Sequence, residues 1–122
     1  KTNHMIFAAN FKTNHTRSAT RAYMEALTQK VVDAACKDDI YVFPPSTALD
    51  YFETPVTLGA QNAYPTINGA YTGEIGIEQL EEFKIKTILI GHSERREILH
   101  ESQEIVAEKF SFFKEKGFEI IY

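Results

Sequence analysis

Short apolar runs alternate along the chain with longer segments of helical periodicity. Each apolar run has only four or five residues and is bounded by turn-forming residues, which is typical of buried strands. We therefore predict five strands at Met5–Ala9, Ile40–Phe43, Val56–Ala60, Thr87–Ile90 and Phe118–Tyr122.

The segments between these strands predict helical connections. The first helix is expected from about Ser18 to Ala35, with an apolar face made of Ala22, Ala26, Leu27, Val31, Ala34 and Ala35. Shorter helices are expected from Ser46 to about Phe52 and from Ile77 to Phe83. The last is expected from Gln103 to Lys116, capped by Ser102, with Ile105, Val106, Ala107, Phe110 and Phe113 facing inward and Gly117 just beyond its end.

This alternation predicts an α/β fold with five parallel strands and four helical connections. Such a chain can form an open doubly wound sheet or the first half of a (β/α)8 barrel. Because the last predicted element is an apolar strand with an unprotected edge, we favour the half barrel, covering residues 5–122. Lys1–His4 recurs as Lys12–His15, and we predict that residues 1–4 are a remnant preceding a natural start at Met5.

Composition narrows the class of protein. A net charge of −4 and a pI near 5.5 argue against a nucleic-acid or anionic membrane partner. The single cysteine, Cys36, excludes an intrachain disulfide and favours a reducing compartment, so a cytoplasmic location is expected. The four histidines have no metal-ligand spacing, and neither a phosphate-binding nor a dinucleotide-binding glycine motif occurs, so we expect no metal and no cofactor.

Candidate chemistry gathers just after the first and fourth predicted strands. Asn10 and Lys12 follow the first, and His92 and Glu94 follow the fourth, where Ser93 is expected to cap a helix. In parallel α/β sheets this edge binds ligands. An ammonium suits an anionic substrate, and an imidazole beside a helix N-terminus tends to stay neutral and donate to a carbonyl. Each residue also has an ordinary interpretation, as a surface lysine, a turn former, a strand-end histidine or a helix N-terminal charge.

Several motifs, in the same order and at the same strand ends, resemble those of the triosephosphate isomerase family. They are Asn10-Phe11-Lys12, Phe43-Pro44-Pro45, Gly59-Ala60-Gln61-Asn62, Gly69-Ala70-Tyr71-Thr72-Gly73-Glu74 and Gly91-His92-Ser93-Glu94-Arg95-Arg96. The resemblance covers essentially everything from Met5 onward. It implies a (β/α)8 barrel that interconverts dihydroxyacetone phosphate and glyceraldehyde 3-phosphate, a reaction of both glycolysis and gluconeogenesis. It also implies a cytoplasmic homodimer.

The resemblance also implies residue roles. Asn10 and Lys12 bind substrate, His92 is the neutral electrophile on the carbonyl, and Glu94 supports the site by pairing with Lys12. Glu101 matches a structural acidic position. Three further residues, Gln61, Asn62 and Thr72, match the subunit interface formed by the loop from Gln61 to Gly73. In that interface Thr72 would reach the partner's site.

One departure limits the resemblance. The family's catalytic base is a glutamate after strand six, followed by a mobile lid and phosphate-binding loops, and the 122 residues hold no counterpart. Two classes of function follow. The chain is either the N-terminal half of an isomerase, inactive alone, or a non-enzymatic half barrel that associates with itself or with a complementary half.

Overall fold

A computed structural model describes residues 5–122 as parallel strands alternating with helices. The five strands are β1 (Ile6–Asn10), β2 (Asp39–Phe43), β3 (Thr57–Leu58), β4 (Thr87–Leu89) and β5 (Glu119–Ile121). The helices are α1 (Arg17–Asp33), α2 (Ile77–Glu81), α3 (Ser93–Glu97) and α4 (Gln103–Glu115). The prediction for residues 1–4 lies outside the described residues.

The strands lie side by side in chain order, and this order favours the barrel. β1, β2 and β3 form one parallel sheet, and β4 and β5 form another. A single parallel bridge between Ala60 and Ile88 joins the two parts, with backbone bonds of 2.9 Å on each side of Ala60. A doubly wound sheet reverses its strand order at a switch point, whereas a (β/α)8 barrel winds in one direction. The order 1-2-3-4-5 has no reversal.

The core lies between the sheet and its helices, in two clusters. The smaller packs α1 on β1 and β2, through Met24 and Val42, which are 1% and 0% exposed. The larger packs α2 and α4 on β4 and β5, around Leu80, Ile88 and Phe113. Among the described residues no helix combines the length and apolar character needed to cross a membrane.

The helices differ from the prediction mainly in which face they bury. α1 buries Thr20 and Met24, with Leu27 and Val31 half-buried, whereas the predicted face residues Ala22, Ala26, Ala34 and Ala35 are exposed. The buried positions follow the three- and four-residue spacing of one face. Ala22 and Ala26 fall off that face, and Ala34 and Ala35 lie beyond the end of α1 at Asp33. On α4, Val106 and Phe113 are buried as predicted, but Ile105, Ala107 and Phe110 are exposed.

Two connections are shorter than predicted, and one cap is different. The segment after Pro45 forms only a 3-10 turn at Ser46–Ala48, and α2 stops at Glu81 instead of Phe83. The cap of α4 is confirmed, because Ser102 Oγ accepts from the Ile105 N–H at 3.2 Å. The prediction that Ser93 caps α3 is wrong: the capping residue is His92.

Candidate active site

The N-terminal part of the site is a tight turn after β1. Asn10 ends the strand, and its Oδ1 accepts the backbone N–H of Lys12 at 2.9 Å. Lys12 has a left-handed backbone with φ of 57°. Such a conformation is uncommon for a residue with a Cβ and persists only where neighbouring contacts enforce it. Here the Gln61 amide supplies one such contact, because Nε2 donates to the Lys12 carbonyl at 2.8 Å and to the Phe43 carbonyl at 2.9 Å.

The second part of the site is the turn from β4 into α3. Gly91 has φ of 77°, and a Cβ there would lie 2.8 Å from the Tyr122 ring. The backbone at Gly91 therefore comes close to the Tyr122 ring, and a side chain at this position would collide with it. This turn sets His92 at the N-cap position, directly before the first residue of α3.

His92 caps α3 through its ring. Its Nδ1 accepts the backbone N–H of Glu94 at 3.0 Å, and its side chain is 29% exposed. A backbone N–H can only donate, so Nδ1 carries no proton and the neutral ring has its proton on Nε2. The first turn of the helix that follows β4 thus occupies Nδ1 and leaves Nε2 as the donor nitrogen of the neutral ring.

Lys12 and Glu94 join the two parts of the site. Lys12 Nζ lies 2.9 Å from Glu94 Oε2, and the two side chains are 51% and 45% exposed. The hydrogen bond from Lys12 lowers the pKa of the Glu94 carboxyl below its ordinary value. The structure therefore brings Asn10, Lys12, His92 and Glu94 to one end of the sheet, and they line a cleft of about 570 Å³.

A buried ion cluster lies beside this cleft. The resemblance implied Glu101 as a structural acidic position, but its partners Lys109 and Arg95 were not assigned from the sequence. Glu101 Oε2 accepts from Lys109 Nζ at 2.5 Å and from Arg95 Nε at 3.1 Å. The Lys109 and Glu101 side chains are each 5% exposed. Burial raises the pKa of the Glu101 carboxyl, but the bonds from Lys109 and Arg95 outweigh it, and the pKa is lowered. The sequence signal for this cluster was Lys109, a charged residue between Val106 and Phe113 on the core face of α4.

The three residues expected at an interface fall into two groups. Gln61 is bonded within the chain as described, and Asn62 Oδ1 accepts from Lys109 Nζ at 2.6 Å. Both are half-buried and line the cleft. Thr72 lies in an exposed part of the loop, near Ile67 and Tyr71, which are 50% and 45% exposed. Within residues 5–122, no cluster of three or more histidine, cysteine or acidic side chains is suited to a metal ion.

Sequential parallel strands with polar groups at their C-terminal ends define a protein of the (β/α)-barrel class. A family model described as triosephosphate isomerase matches residues 5–122. The chain is 66% identical over 118 residues to a triosephosphate isomerase of Sulfurovum sp. and 57% identical over 120 residues to one of Wolinella succinogenes. It is 54% identical over 118 residues to one of Campylobacter jejuni subsp. doylei.

The chain belongs to the triosephosphate isomerase family. Each of these alignments covers 97% of this chain but only 51–52% of the relative. The chain therefore spans about half the length of the curated relatives it matches. Five of the eight strands of such a barrel are present in the described residues.

Proposed function

We propose that this chain supplies the substrate-binding and electrophilic half of a triosephosphate isomerase site. In this proposal the whole site interconverts dihydroxyacetone phosphate and glyceraldehyde 3-phosphate by moving a proton between adjacent carbons. Lys12 and Asn10 bind the phosphorylated triose, and His92 donates a hydrogen bond from Nε2 to its carbonyl oxygen. Glu94 orients Lys12. The bond from the Glu94 N–H to His92 Nδ1 carries the proposal, because it leaves Nε2 as the donor in the cleft that Lys12 also lines.

No described residue is assigned as the base. Glu94 is bonded to Lys12, and Glu101 is buried against Lys109 and Arg95. Loss of a positioned base costs about 10²–10⁴-fold in rate, and a missing lid and phosphate loops reduce binding and water exclusion further. We therefore expect the 122-residue chain to be inactive by itself.

The test is an isomerase assay on the purified chain, alone and mixed with the C-terminal half of the Sulfurovum relative. We expect activity only in the mixture, and its loss with His92→Ala. His15→Ala is a matched control, since His15 lies outside the lining of the cleft. Turnover by the chain alone that His92→Ala abolishes would show that a base had been overlooked.

A second candidate function is a non-enzymatic half barrel that associates with itself or with a complementary half. It is favoured by the apolar side chains exposed at the outer strands: Met5, Ile6 and Phe7 at β1 are 48–67% exposed, and Tyr122 after β5 is 76% exposed. Unpaired strand edges of this kind promote association. Sedimentation of the chain from low to high concentration tests it, and a monomer throughout would contradict self-association.

We also propose homodimerisation through the loop from Gln61 to Gly73, in the cytoplasm, with Thr72 near the partner's cleft. The exposed Ile67 and Tyr71 support this interface, since apolar groups at a loop tip gain most from burial. In the reconstituted protein, Ile67→Glu should shift sedimentation toward the smaller species. Val32→Glu, at an exposed valine on α1, is the control.

A further inference from the structure

The inner face of the sheet, opposite the helices, holds a polar contact between distant strands. On β2 the rings of Tyr41 and Phe43 stack with centroids 6.3 Å apart. Gly59 leaves room for them, since a Cβ there would lie 2.3 Å from the Phe43 ring. Glu119 of β5 reaches Tyr41 across the same inner face.

Both oxygens of the Glu119 carboxylate accept from hydroxyls of other strands. Tyr41 Oη donates to Oε2 at 2.6 Å, and Thr87 Oγ1 donates to Oε1 at 3.3 Å. Tyr41 is 7% exposed, and its hydrogen bond to Glu119, together with burial, raises its pKa to about 12. Glu119 itself stays exposed on the open side of the sheet. The contact between Tyr41 and Glu119 is therefore short and charge-assisted.

The positions of the two strands require curvature. β2 and β5 are separated by three strand spacings, or roughly 14 Å in a flat sheet at about 4.8 Å each. Side chains stand nearly perpendicular to a sheet, so in a flat one the Tyr41 hydroxyl and the Glu119 carboxylate would be far apart. Contact at 2.6 Å means that the sheet curls toward this inner face.

The contact between Tyr41 and Glu119 also spans the place where strand pairing in the sheet is least extensive. Among the described residues, strand pairing joins β1, β2 and β3 to β4 and β5 only through the bridge between Ala60 and Ile88. A single bridge restrains the angle between the two parts of the sheet only weakly, because rotation about it breaks few other backbone hydrogen bonds between strands. Tyr41 lies on one side of this bridge, and Glu119 and Thr87 lie on the other.

We propose that the Tyr41–Glu119 contact is a cross-sheet clamp that holds the two parts of the sheet at barrel curvature. The clamp thereby positions the edges of β1 and β5 to accept the three strands that complete an eight-stranded barrel. The occupant is a C-terminal half of triosephosphate isomerase type, since the chain aligns with only 52% of its Sulfurovum relative. This inference rests on the pairing with a complementary half proposed above.

The first test measures curvature in the chain alone. Spin labels are placed at exposed positions on α1 and α4 by Lys30→Cys and Glu108→Cys, with Cys36 replaced by serine, and their distance distribution is recorded. Tyr41→Phe and Glu119→Ala should broaden and shift the distribution, and Glu119→Gln, which keeps one acceptor oxygen, should do so less. Tyr23→Phe on α1 is the control. Unchanged distributions in Tyr41→Phe and Glu119→Ala would overturn the clamp.

The second test measures pairing with the C-terminal half of the Sulfurovum relative. Tyr41→Phe and Glu119→Ala should each raise the dissociation constant by about three- to tenfold, as expected for the loss of one hydrogen bond. The dissociation constant of the double variant should not exceed that of the more strongly affected single variant, because both changes remove the same contact. Additive losses, or unchanged affinity, would refute the positioning role. If the unaltered halves do not associate, the proposed pairing fails, and the label distances alone decide the clamp.

Discussion

Two lysine–glutamate pairs lie close to α3, and they differ in exposure far more than in distance. Lys12 and Glu94 are 2.9 Å apart and about half exposed, at the mouth of the cleft. Lys109 and Glu101 are 2.5 Å apart and 5% exposed, behind it. The exposed pair is solvated and can exchange partners with an anionic ligand at little cost. The buried pair cannot, because separating it would leave a charge without compensation.

The difference in exposure indicates different roles for the two pairs. Glu101 binds Arg95 of α3 and Lys109 of α4, and Lys109 also binds Asn62, at the beginning of the long loop. The buried pair thus joins three segments around the cleft. The exposed pair joins only the turn after β1 to the first turn of α3. We infer that the buried pair maintains the shape of the site and that the exposed pair contacts the ligand.

The largest expected effect comes from breaking the buried pair. Lys109→Ala leaves the Glu101 carboxylate buried with Arg95 as its remaining cation, and should lower the free energy of unfolding by about 1–3 kcal/mol. Urea denaturation measures this change. Lys114→Ala, at an exposed position of the same helix, should change it by less than about 0.5 kcal/mol. Equal losses in the two variants would erase the distinction between the pairs.

Acid should act on the buried pair with a smaller effect. The pKa of the Glu101 carboxyl is lower in the folded chain than its ordinary value of 4.5, so the folded state binds this proton less readily than the unfolded state. Its contribution to stability is present above pH 4.5 and is lost as the pH falls through the folded pKa. The unfolding free energy of Glu101→Gln should therefore fall less steeply with acid. Parallel slopes would contradict this.

The cap of α3 supports the exposed pair, and its loss should have a moderate effect. His92→Ala removes the acceptor of the Glu94 N–H and should cost about 0.5–2 kcal/mol of unfolding free energy. Ser93→Ala is the informative control, since Ser93 lies inside the helix and should matter less. A larger loss from Ser93→Ala would restore serine as the cap.

The smallest expected effect comes from breaking the exposed pair. Lys12→Met should leave the urea midpoint of the chain unchanged within error, because solvent and salt screen a half-exposed pair. Substrate binding by the reconstituted protein should weaken strongly, since the ammonium is the proposed phosphate contact. A clear loss of stability in Lys12→Met would show that both pairs are structural.

Much of the fold was predictable from local patterns. Each predicted strand contains or overlaps an observed one, because a short apolar run between turn formers has few other low-energy conformations. The Ser102 cap and Gly117, with φ of 82°, also follow from adjacent residues alone. The helix faces were less predictable, since alanine is tolerated on either face. Lys109 was missed because apolar periodicity cannot register a buried charge.

The amino-acid sequence by itself determined the order of strands and helices, the family motifs, and which polar residues follow which strand. Only the tertiary structure decided how those residues pair. It made His92 rather than Ser93 the cap, exposed Glu94, buried Glu101, and brought Tyr41 to Glu119 across 78 residues of chain. The physical reason is that burial and hydrogen-bond partners depend on segments far apart in the chain, and local propensity carries no information about them.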